Sequence, residues 1–267
     1  MGNHLAIAID ALYEAFNSYA RPERFEACAC CWDGEPIGNP PEPHMRGRVL
    51  ALAPGGRRPV RELRPEELGS IIDSVPLTSG SLNLLKHYLP RILEIVAGEG
   101  LDWPSIEIAF YRLNDGPDVS SMPWTQWPSG EREALRSFFH AFWVDHLGVV
   151  HEDEHAVDAA LCAIGVIEPD FDWYLAEWLK FEQPVTAINL LRFLEVNADD
   201  MANGRLWNAF WEHQWPADAN LRKVLAWVNG DATRQAVDVA MRSARTIDES
   251  SALAAIAKRW SSATDTI

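Results

Sequence analysis

The string His151-Glu152-Asp153-Glu154-His155 satisfies H-E-x-x-H. On a helix that spacing puts two imidazoles on one face as zinc ligands, beside a glutamate that activates bound water. The setting favours another role. The string follows Gly148 at the mouth of a helix, and both middle positions are acidic where a buried site helix presents at least one apolar side chain. A third ligand would have to be Glu168, Asp172 or Glu177, none distinctively spaced. The favoured reading is a polar, acidic turn that caps a helix; the alternative is a zinc-dependent hydrolase using His151, Glu152 and His155, with Glu152 as general base.

Cys28, Cys30 and Cys31 are the second constellation, three thiols within four residues that, with His87 or His44, have the ligand types of a structural zinc site. Structural sites usually use C-x-x-C pairs, and adjacent cysteine side chains often point apart. The expectation is therefore no cofactor and a buried, reduced cluster, with zinc at these three residues as the alternative. Cys162, between Leu161 and Ile164, belongs to the core. Four bunched cysteines are too few for a disulfide framework in a chain of 267 residues, which implies a reducing compartment. No G-x-S-x-G elbow is present, and Gly55-Gly56-Arg57-Arg58 lacks the spacing and lysine of a P-loop.

Charge narrows the partners. The chain carries a formal charge of −16, and from Asn114 to Asp200 there are 17 Asp and Glu against only Arg132, Arg136, Lys180 and Arg192. Such a surplus opposes nucleic-acid phosphate and suits a basic protein partner. Arg46, Arg48, Arg57, Arg58, Arg61 and Arg64 form a short basic tract in the other half, and nucleic acid would have to be held there. The absence of a long apolar run and of a basic-then-apolar leader makes the expected location the cytoplasm, with no membrane span.

The elements that must position these residues are helices. Leu5, Ile9, Leu12 and Phe16 form one stripe over roughly His4 to Tyr19. Residues 33 to 64 make a long Pro/Gly-rich excursion with a short strand at Val49 to Leu52, and Pro65 opens a helix through Ile72. Leu82 to Val96 is helical, with Pro90 either kinking it or starting a second helix. Glu131 to Leu147 is a strong helix with Leu135, Phe138, Phe139, Phe142 and Trp143 inward. Short helices follow over Ala156 to Ile164, from an Asp170 cap to Phe181, from Pro184 to near Asn197 and from Pro216 to Gly230, with Asp231 and Asp248 as caps for two more. Trp207, Trp211 and Trp215 recur every four residues and read as core. The expected fold is one mainly α domain over residues 1–267, a multi-helix bundle or short α-solenoid of antiparallel hairpins.

Arg21-Pro22, the C-x-C-C segment at Cys28 to Cys31, Leu63 and Leu68, His87-Tyr88-Leu89-Pro90-Arg91-Ile92-Leu93-Glu94 and the Trp-Pro step into Glu131-Arg132-Glu133 together resemble an uncharacterised bacterial family of cytoplasmic helical proteins. The similarity runs from about residue 10 to 230. It implies a helical fold and carries no activity. Function is therefore read from charge: a non-enzymatic acidic interaction module, such as an immunity protein that neutralises a basic bacterial toxin. Glu152, Asp153, Glu154, Asp170 and Asp172, at two successive helix starts, are the expected partner-binding residues.

Overall fold

The three-to-four-residue recurrence of Leu5, Ile9 and Leu12 produces α1 (Asn3–Ala15), which buries those residues and Ala8. In the computed structural model, residues 2–29, 48–101, 104–114, 123–180, 184–212 and 216–243 are described. Among them are ten α-helices and a single two-stranded sheet, so the chain is mainly α. It divides into two compact units, residues 1–141 and 142–267, and the boundary falls inside a helix instead of a linker.

In the first unit, β1 (Arg24–Cys28) pairs antiparallel with β2 (Arg48–Leu52) in the register Phe25 to Ala51. The strand expected at Val49 to Leu52 is present. Its partner went unread because five residues with only Phe25 and Ala27 buried are too short for alternation to register. Of the expected excursion, 33–47 lies outside the described residues. Pro65 opens α2 (Pro65–Ser74), where the Glu67 carboxylate accepts the Arg64 N–H at 3.0 Å.

Ser81 caps α3 (Leu82–Gly98), its hydroxyl oxygen accepting the Leu84 N–H at 3.3 Å. Pro90 stays inside this one helix, removing the N–H that would have bonded the Lys86 carbonyl. α4 (Ile106–Tyr111) follows, tied to the end of α2 by Arg112, which donates to the carbonyls of Ile72 at 2.8 Å and Asp73 at 2.6 Å. A 3₁₀ turn at Trp124–Gln126 leads into α5 (Ser129–Leu147), where Phe139 packs against Phe110 and Trp124 at centroid distances of 5.3 and 5.4 Å.

The second unit is built round α6 (Ala156–Gly165), which buries eight of its ten residues, Cys162 among them as expected. A helix so apolar on every side must be covered all round. Its last residue is glycine for a steric reason, since a Cβ on Gly165 would run into the Trp211 ring. Asn220 donates to the carbonyls of Gly165 at 2.8 Å and Glu168 at 2.9 Å, closing the end of the helix.

Around it stand α7 (Asp172–Trp178), α8 (Pro184–Met201), α9 (Ala217–Val228) and α10 (Asp231–Ser243). α7 is shorter than expected: Phe171, not Asp170, holds its N-cap position, and it stops at Trp178. Asp248 and the helix expected after it lie outside the described residues. Among the described residues, no helix is long and apolar enough to cross a membrane.

Candidate functional site

α5 ends where the Gly148 N–H reaches back to the carbonyls of Val144 at 3.2 Å and Asp145 at 3.1 Å. The connection from Val149 to His155 then carries the chain to α6. Two polar side chains of α8, three residues apart and so on one face, hold it by its backbone. Asn189 donates to the carbonyls of Leu147 at 3.0 Å and Val149 at 2.9 Å, and Arg192 donates to that of His151 at 2.6 Å. These carbonyls have no helical partner of their own, so the two side chains satisfy groups that would otherwise be costly to bury.

Two histidines complete the anchoring. The His146 and His151 rings stack at 3.9 Å with 28° between their planes. Nε2 of His146 faces the Ala156 carbonyl at 3.1 Å, and Nε2 of His151 faces the His146 carbonyl at 2.8 Å. A carbonyl only accepts, which assigns the proton to Nε2 in both rings. Burial, and after it the neighbouring His151, pull the His146 imidazole down to about 3, against a smaller upward pull from its bond to the Ala156 carbonyl. His146 is therefore neutral in the fold at neutral pH.

A stability prediction follows with a definite sign. Unfolded, His146 titrates near 6.5. Its contribution is fully present above that pH and declines as the pH falls from 6.5 toward 3, because the unfolded chain takes up the proton first. Between pH 7.5 and 5, denaturation should show the wild type losing about 2 kcal/mol more than His146→Gln. Equal losses would remove His146 as the source.

The acidic side chains are presented outward by this anchoring. Glu152, Asp153 and Glu154 are exposed, and the Asp153 carboxylate accepts the His155 N–H at 2.9 Å, folding the turn that starts α6. Among the described residues, none of the three pairs with a Lys or Arg, and Glu154 lies 3.6 Å from Nε2 of His155. Asp170 is exposed, its N–H donating to Glu168 at 3.1 Å, while Asp172 pairs with Lys223 at 3.1 Å. The sequence placed these five at successive helix starts. The structure puts Glu152 to Glu154 in the turn before α6 and Asp170 and Asp172 beyond its other end, at the start of α7.

The H-E-x-x-H string lies in the turn ahead of α6, so no helical face carries both imidazoles. His151 points into the carbonyl of His146, whereas His155 stacks on Trp207 at 4.0 Å. Among the described residues, no group of three or more His, Cys, Asp or Glu is arranged to hold a metal. Cys28 ends β1 and is half-buried, while Cys30, Cys31 and His44 lie outside the described residues. His87 turns Nδ1 to the Tyr19 carbonyl at 2.7 Å.

Sequence reasoning assigned Trp207 to the core with Trp211 and Trp215. Trp211 is fully buried, Trp215 lies outside the described residues, and Trp207 is 49% exposed. The four-residue period misled because the helical turn described here, a 3₁₀ turn at Ala209–Glu212, begins after Trp207. Among the basic tract, Arg58 pairs with Glu67, Arg61 with Asp10 and Glu94, and Arg64 with Glu66, all within the first unit. A shallow groove of about 330 Å³ runs along the Ser129, Arg132, Arg136 and His140 face of α5.

No family model, no curated protein and no solved structure matches this chain.

Proposed function

We propose that the chain is a non-enzymatic acidic interaction module that binds a basic protein, in the manner of an immunity protein neutralising a cationic bacterial toxin. One observation carries this reading. The Glu152-Asp153-Glu154 turn is exposed, without a Lys or Arg partner among the described residues, yet held at its base by Asn189, Arg192 and the stacked histidines. A charged surface on a fixed backbone pays little ordering cost on binding, which is what steering and holding a partner of opposite sign requires. Some other acidic groups of the second unit are offset locally, as in Glu177 with Lys180, Glu212 with Arg205 and Asp218 with Arg222.

The test uses a basic protein recovered from the native lysate and purified. Glu152→Lys with Glu154→Lys should weaken its affinity at least tenfold at low salt, and the difference should shrink as salt rises through the screening range. Asp172→Lys, whose carboxylate already faces Lys223, should have a smaller effect. Unchanged affinity and salt dependence in the double variant would overturn the reading.

A further inference from the structure

Among the described residues of the second unit, the exposed large hydrophobic side chains are Val144, Val149, Val150 and Trp207. Val149 and Val150 belong to the α5–α6 connection, Val144 sits one helical turn before Gly148, and Trp207 stacks on His155, the last residue of the connection. Three exposed carboxylates, Glu152 to Glu154, lie between the valines and His155, on which that tryptophan stacks. Apolar side chains beside a charged rim are the usual anatomy of a protein interface, and scattered exposure does not produce it.

We infer that Trp207, with Val149 and Val150, is the aromatic anchor of this docking surface, and that its occupant is an arginine side chain of a basic protein partner, its guanidinium over the indole and toward Glu152 and Glu154. The inference rests on the reading above and adds the residue type recognised. Charge complementarity names the partner's sign, because the carboxylates of the turn that ends at His155 have no Lys or Arg of their own among the described residues, and Glu154 lies 3.6 Å from the same His155 that stacks on Trp207. The indole narrows it to arginine. A planar, weakly hydrated guanidinium stacks on an aromatic face and can still donate to carboxylates, whereas a compact ammonium is held more strongly by water. His155 covers part of the ring and fixes its orientation, and the 49% exposure leaves room for a second group. Exposed tryptophan is also among the residues most often found carrying interface energy.

The probes are two blocked, fluorescein-labelled octapeptides of alternating glycine and arginine or glycine and lysine, titrated at low salt by anisotropy. The wild type should bind the arginine peptide at least threefold more tightly than the lysine peptide. Trp207→Ala should abolish that preference and Trp207→Phe should retain part of it, both variants giving wild-type circular dichroism. Glu152→Gln with Glu154→Gln should weaken both peptides alike. If Trp207→Ala keeps the arginine preference while the double variant loses affinity, the anchor is wrong and the acidic reading stands. If neither variant changes binding, or the wild type binds neither peptide, both fall.

Discussion

Lys86→Met should destabilise the fold by about 3–5 kcal/mol, the loss expected when one member of a buried ion pair is removed and the other is left uncompensated. Lys86 and Glu131 are 4% and 6% exposed, with Nζ 2.6 Å from a Glu131 oxygen. Lys86 also donates to the Tyr19 hydroxyl at 3.1 Å, which in turn donates to the other Glu131 oxygen at 2.5 Å. Burial, followed by the bond to Glu131, pushes the Tyr19 hydroxyl up to about 12, so it stays protonated and keeps that bond at any ordinary pH. The ammonium also lies 4.1 Å from the centroid of Trp127. Without Lys86, only Tyr19 among these groups still donates to the carboxylate. Lys86→Met with Glu131→Leu removes both charges and should recover most of the loss, whereas Tyr19→Phe should cost about 1 kcal/mol. Urea denaturation of the wild type, Lys86→Met, Glu131→Leu, their double variant and Tyr19→Phe decides it: a double variant as damaged as the sum of the Lys86 and Glu131 singles would show that the charges are not coupled.

This cluster also marks where sequence reasoning stops. The apolar stripe of α3 places Leu85, Leu89, Ile92 and Leu93 correctly in the core. A hydrophobic period, however, carries no information about a lysine whose partners are 45 and 67 residues away. The same limit divides the candidate site. Glu152 to Glu154 were legible as an exposed acidic turn, because Gly148 before them and the apolar run of α6 after them leave little choice of conformation. Trp207 was not, since its burial depends on where a 3₁₀ turn begins. Nor were Asn189 and Arg192, which read as ordinary helix residues until α8 is laid beside the connection whose carbonyls they bind.

Trp178→Ala carries the comparable expectation for the second unit, about 3–5 kcal/mol. The indole is fully buried and meets Trp143 of α5, Phe193 of α8 and Trp227 of α9 at centroid distances of 5.2, 5.3 and 5.3 Å. Its Nε1–H donates to the Thr186 carbonyl at 3.3 Å. Alanine would open a cavity among three other aromatic rings and remove the donor to a backbone carbonyl, two separate penalties. α7 is only seven residues long and cannot persist without tertiary contacts, so the loss should spread to its neighbours. Trp178→Phe, which keeps a ring but not the donor, should cost substantially less. The effect reaches the acidic turn through α8, because the helix that Trp178 seats at Thr186 and Phe193 is the one whose Asn189 and Arg192 hold the connection. Amide exchange at Val150 to His155 should therefore accelerate in Trp178→Ala even under conditions where the protein stays folded. Slow exchange there, with global stability reduced, would mean that the turn is held independently of the aromatic core.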